Sequence, residues 1–255
     1  MQFIDTHAHI YLDAFEKDVD QVMERAAGNS IDTIILPNID SKTIAPLHVL
    51  HDAYPDRTIP LMGLHPTHVK ENFEGELKII LQQLEKYNYK GIGEIGIDLY
   101  WDTAFQEQQT EVFIRQLRVA RSLNLPVVIH ARNSFNEILK VVRMKEFEGL
   151  TGIFHAFTGN TDLAKDIISL GFKLGIGGIL TFKNSNLEEV IHEIDLEHIV
   201  LETDSPFLAP VPFRGKRNES SYIIYIAQKL AAIKNISVSE LGEITTRNAK
   251  ELFKF

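Results

Sequence analysis

The chain contains no cysteine. That excludes a disulfide framework and any thiolate metal site, and it leaves nitrogen and oxygen as ligand atoms. No apolar run approaches the roughly 18 residues of a membrane span, and the opening residues enter a strand-like run at Phe3 with no basic, signal-length segment before it. A reducing, cytoplasmic setting without membrane contact is the expectation. Basic residues are in deficit, with 26 Lys and Arg against 35 Asp and Glu and a formal charge of −9. Such a balance weighs against nonspecific wrapping of duplex DNA on a broad cationic surface, though not against a nucleic acid substrate at a locally cationic site. Linkers, low-complexity tracts and repeats are missing as well, so the 255 residues, 44% of them hydrophobic, read as one domain, 1–255, with ample core.

What is present is an alternation of short β-rich runs with amphipathic stretches, the pattern of repeated βα units. Strands are expected around Phe3–His7, Thr33–Pro37, Ile59–His65, Gly91–Ile95, Val127–His130, Gly152–His155, Phe172–Ile176 and Ile199–Thr203. Helices are expected to follow near Asp18–Ala27, Ile44–Ala53, Glu76–Tyr87, Gln106–Leu123, Phe135–Lys145, Asp162–Leu170, Leu187–Ile194 and Tyr222–Ile233, with Val238–Phe255 as an extra closing helix. A doubly wound open sheet would gather ligands at a switch point between a few strands. Here polar side chains end strands one, three, four, five, six and eight, which converge more readily in a closed (β/α)8 TIM barrel.

Those polar ends have metal-ligand chemistry. His7 and His9 lie two apart in an extended segment and so point to one side, where they can chelate an ion together. A lone His-x-His is weak, but Glu94, His130, His155 and Asp204 stand at four further strand ends. Glu94, in an apolar glycine-flanked run, would be costly to bury without a cation, and its two oxygens can bridge two ions. A buried ion pair with Lys or Arg is the competing reading of that carboxylate. His130 and His155 are expected at the mouth, on the second ion. Asp204 on the last strand would adjoin His7 and His9, hold the first ion and take a proton from water. Glu202 alternates to the same face as Asp204 and is expected to support the site or form a salt bridge.

The segments DTHAH, GEIGID, PVVIHAR, HAFTG and LETDSPFL followed by RGKRNE occur in that order. Together they closely resemble the TatD family of metal-dependent deoxyribonucleases, over nearly the whole chain. The resemblance implies an amidohydrolase-type TIM barrel with His7, His9, Glu94, His130, His155 and Asp204 as ligands of two divalent ions (Mg, Zn or Mn), acting on DNA, with Glu94 and Asp204 at the chemistry. Single-stranded or frayed ends and an exonuclease action are the expectation. Ester or amide hydrolysis, aminoacyl-tRNA deacylation, or a noncatalytic nucleic-acid-binding scaffold are its rivals. Two departures from the family pattern, Ser220 for a proline and Ala156 for a cysteine, leave the ligand set intact; Ser220 is expected to cap the following helix.

Substrate contacts are expected from His65, in Gly63-Leu64-His65-Pro66, and from Arg132, two residues past His130. Their structural alternatives are a core histidine and a loop ion pair. Arg214, Lys216 and Arg217 form a cationic loop after strand eight, suited to phosphates. Tyr100 and Trp101 are a base-stacking platform if exposed, or otherwise a cover over the core. Gly175-Ile176-Gly177-Gly178 would let backbone N–H groups approach an oxyanion.

Overall fold

The computed structural model describes residues 2–255. Eight parallel strands alternate with helices: β1 Phe3–Asp5, α1 Val19–Gly28, β2 Ile31–Pro37, α2 Ile44–Ala53, β3 Thr58–Leu61, α3 Phe73–Lys86, β4 Ile92–Asp98, α4 Gln106–Leu123, β5 Val127–Arg132, α5 Phe135–Val142, β6 Gly152–Phe154, α6 Thr161–Ser169, β7 Phe172–Ile176, α7 Leu187–Glu193, β8 Ile199–Leu201, α8 Ile223–Lys234 and α9 Val238–Phe253. The ladders run β1-β2-β3 and β4-β5-β6-β7-β8. Single parallel bridges link the two sets at both seams, Ala8 to Ser205 and Met62 to Ile92. Backbone hydrogen bonds from Thr6 to Leu201 and from Gly93 to Met62 accompany them. The result is the parallel eight-stranded α/β architecture of a TIM barrel.

Side-chain alternation divides the strands between two cores. Ile4, Ile35, Leu61, Val128, Ile153 and Val200, from six different strands, meet one another and also Ala249, Leu252 and Phe253 of α9. Residues drawn from opposite walls can pack together only inside the barrel, so α9 closes one end of it. The larger core lies between the sheet and the helices, where Ile34, Leu36, Ile129 and Leu174 pack against Val22, Leu47, Leu117 and Ile167. Two residues beyond the interior positions Val128, Ile153 and Val200 come His130, His155 and Glu202, so the period of two carries the same face from apolar filling to polar site.

Several strands end earlier than the sequence suggested. His7, His9, His155 and Asp204 stand just past β1, β6 and β8, whereas Glu94 lies inside β4 and His130 inside β5, within the wall rather than at its rim. Ser220 opens a short 3-10 turn, Ser220–Tyr222, and no side chain caps it. The expected serine cap is absent because Glu219 occupies the cap position.

Candidate metal centre

Glu94 is the hub. It is 2% exposed, and its ionic partners among the described residues are all imidazoles, with no Lys or Arg in reach. A buried carboxylate pair with a basic side chain is thereby set aside. Its Oε2 faces His7 Nε2 at 3.2 Å and His9 Nε2 at 3.4 Å. Its Oε1 faces His155 Nε2 at 2.8 Å, His130 Nδ1 at 2.9 Å and His65 Nε2 at 3.2 Å. Asp204 Oδ1 joins the first group, 3.7 Å from His7 and 3.6 Å from His9. Nitrogen atoms also crowd one another, at 3.0 Å between His7 and His9 and 3.2 Å between His130 and His155. Such convergence of lone-pair atoms in a buried place fits a cation among them.

The outer nitrogens of the rings tell which face the centre as acceptors. Tyr11 donates its hydroxyl to Pro37 O at 2.5 Å, so it accepts from His9 Nδ1 at 2.8 Å. His9 Nε2 therefore presents a lone pair. Asp98 Oδ2 accepts from His130 Nε2 at 2.8 Å, which leaves His130 Nδ1 as the free acceptor. His65 is different: its Nδ1 accepts from the Thr67 backbone N–H at 3.1 Å, so a neutral ring carries its proton on Nε2. Burial pushes the His65 imidazole down to about 4, despite the opposing charge of Glu94. His65 thus aims a neutral N–H donor into the site, suited to an anionic oxygen rather than to a metal.

Burial would raise the Glu94 carboxyl, but the imidazoles of His65, His155 and His7 and the His130 hydrogen bond hold it well below the ordinary range. Asp204 is pushed up to about 6, chiefly by burial, with His155 and His9 opposing. Its backbone sits at φ 57, a left-handed conformation rare outside glycine, with its N–H donated to His7 O at 2.8 Å. That constraint holds the carboxylate beside the first strand. Burial pulls His155 down, yet Glu94 and Glu202 more than reverse it.

The remaining expected residues fall in varied places. Glu202 is buried and accepts from Ala156 N at 2.6 Å, with its Oε1 3.7 Å from His155 Nδ1. A Cβ on Gly175 would collide with Glu202 Oε2. The glycine there makes room for this carboxylate rather than cradling an oxyanion, which corrects the expectation for the Gly175–Gly178 run. Arg132 forms no ion pair among the described residues; its guanidinium lies 3.8 Å from the centre of the Tyr100 ring. Tyr100 and Trp101 are exposed, so they do not cover the core. Arg214 stacks over Phe182 at 4.0 Å. Arg217 instead donates two bonds to Asp18, at 2.7 and 2.6 Å, and one to Ala14 O at 2.7 Å. Its charge is neutralised by a residue far away in sequence, whereas Arg214 and Lys216 have no ion partner among the described residues. Sequence reasoning missed Asp98 and Tyr11. Asp98 could have been suspected as a further carboxylate in the GEIGID segment.

The family profile described as TatD related DNase matches residues 4–254. The chain is 36% identical to the metal-dependent hydrolase YabD of Bacillus subtilis over 251 residues, 98% of each chain. It is 30% identical to the metal-dependent hydrolase YcfH of Escherichia coli, covering 99% of this chain and 96% of that one. Among solved structures, YjjV, a TatD homologue of Escherichia coli, superposes with a TM-score of 0.93 at 27% identity, over 99% of this chain and 98% of that one. The phosphotriesterase homology protein of the same organism shares the fold at 14% identity, with a TM-score of 0.74 and coverage of 99% and 98%. A cluster that could hold metal, the barrel and the relatives agree: the chain belongs to the TatD family and is a metal-dependent hydrolase.

Proposed function

We propose that the chain hydrolyses phosphodiester bonds of DNA as an exonuclease on single-stranded or frayed ends, using two divalent ions. The observation that carries this reading is the division of Glu94, whose two oxygens each face a separate nitrogen cluster. His7, His9 and Asp204 would hold one ion with Oε2, and His130 and His155 the other with Oε1. Bound there, divalent Mg, Zn or Mn lowers the pKa of water and neutralises charge on the reacting phosphate.

The chain's own groups supply the rest. Asp204, 14% exposed at its side chain, is the carboxylate open to an entering water and accepts its proton. His65 donates Nε2–H to a phosphate oxygen, and Arg214 and Lys216 meet flanking phosphates. The family description supports DNA as substrate, whereas the ligands alone support hydrolysis. No helix of the described residues is long and apolar enough to cross a membrane, and a cytoplasmic place of work is part of the proposal.

The test is a parallel assay of metal-restored protein on end-labelled single-stranded DNA, aminoacyl-tRNA and simple esters. Stepwise release of nucleotides is expected. Ester or aminoacyl turnover without DNA cleavage would replace the proposal by its hydrolase rivals, and binding without turnover on every substrate would point to a scaffold.

A further inference from the structure

We infer that Tyr100 and Trp101 form a nucleobase shelf, on which a base of single-stranded DNA next to the scissile phosphate stacks, with Arg132 backing the shelf. This rests on the deoxyribonuclease reading above and specifies how that site recognises its polymer. Tyr100 is 53% exposed and Trp101 69%, although both are large apolar rings. They meet edge to face at 4.9 Å and 88°, so each orients the other. Arg132 covers Tyr100 at 3.8 Å and stands 5.2 Å from Trp101, which leaves Trp101 the more open ring. No carboxylate neutralises Arg132 among the described residues, so the shelf carries a positive charge fit for a nucleotide anion.

The shelf is fixed to the metal centre by one side chain. Asp98 Oδ1 accepts from the backbone N–H groups of Tyr100 at 3.0 Å and Trp101 at 3.2 Å, while Oδ2 holds His130. On the other flank, Phe207 is 52% exposed and its ring lies 6.4 Å from that of His9. Exposed aromatic rings are therefore joined to both nitrogen groups around Glu94, by Phe207 at His9 and through Asp98 at His130. Stacking on them needs a base whose face is uncovered, which a single strand offers and an intact duplex does not.

Trp101 is the sole tryptophan of the chain, so tryptophan fluorescence, excited beyond the tyrosine absorption band, reports on the shelf alone. Metal-loaded protein would be titrated with a phosphorothioate-linked oligothymidylate, which resists turnover, and with its abasic counterpart. Quenching by the first and not the second is expected. In parallel, kcat/KM would be measured on DNA with abasic residues placed stepwise near the cleaved end. One abasic position should cost wild type about 5- to 150-fold, Trp101→Ala should lose about the same on normal DNA and be nearly indifferent to that abasic residue, and Trp101→Phe should retain most of the effect. Metal content should not change in either variant. DNA cleavage without base dependence or quenching would overturn the shelf and leave the nuclease reading standing. Absence of any DNA binding or cleavage would remove both.

Discussion

Replacing Asp98 by Asn changes little in volume but reverses one hydrogen-bonding role. With its amide oxygen at the Oδ1 position, the variant side chain would keep the N–H groups of Tyr100 and Trp101, and its NH2 would face His130 Nε2–H across the present 2.8 Å contact. Two donors cannot share that contact. The imidazole would have to move its proton to Nδ1, the nitrogen aimed at Glu94 Oε1, and so lose the lone pair it presents. The flipped amide spares His130 but leaves two backbone donors facing an NH2, at about 1–3 kcal/mol each. The proton shift is cheaper, because loss of such an outer partner of a metal-binding histidine typically costs about 10–100-fold in affinity or activity. Asp98→Asn should therefore weaken metal binding by about that factor with the fold unchanged, and excess metal should restore occupancy. The assay is competition against a calibrated chelator, with circular dichroism as a fold control. Wild-type affinity and rate in the variant would refute the assignment of His130 Nδ1 as the presented atom.

The corrected cationic loop separates two arginines. Arg214→Ala should flatten the salt dependence of oligonucleotide binding and leave a small diester unaffected, whereas Arg217→Ala should leave the salt slope alone and lower stability by up to about 1 kcal/mol, since its pair with Asp18 is partly exposed. Equal salt slopes for both variants would sink this division. Phe253→Ala, in the helix that closes the barrel, should cost about 3–5 kcal/mol in urea unfolding, and a loss below about 1 kcal/mol would show that α9 is not a plug. Burial would raise the Glu219 carboxyl, but its two bonds from Arg25, with the Ser221 hydroxyl, hold it below the ordinary value. Its contribution is present above the unfolded glutamate pKa of about 4.3 and lost as pH falls through the depressed folded value. The stability gap between wild type and Glu219→Gln should thus close with acidification, and a gap independent of pH would contradict the pairing.

The barrel was legible because two periods dominate the sequence. Alternation in VVIHAR and the spacing of His7 and His9 place side chains on a known face before any partner is known, and the helices between follow from apolar spacing. The same local logic located Glu94 and Asp204. Contacts between elements distant in sequence were invisible to it: Arg217 reaches Asp18 and Ala14 on the chain's first helical segments, and Asp98 meets His130 across the β4–β5 pair. The glycines after β7 illustrate why a composition signal misleads. Gly175 leaves room for Glu202, which follows the neighbouring strand, whereas Gly178 leaves room for the backbone oxygen of Leu208. Strand ends were misplaced at β1, β3, β6 and β8; between β1 and β8 the reason is related, since the Asp204 N–H donates to His7 O and the His9 N–H to Ser205 O past the regular ladder.

The proposed joining of two ions by Glu94 is tested most directly by the metal content of protein reconstituted in excess divalent ion and freed of unbound metal. Wild type should approach two ions per chain, with turnover lost on chelation and regained on restoration. Glu94→Gln should bind fewer and turn over more slowly while remaining folded. Saturation of the fully active wild type at one ion, or full occupancy and unchanged turnover in Glu94→Gln, would contradict the bridge.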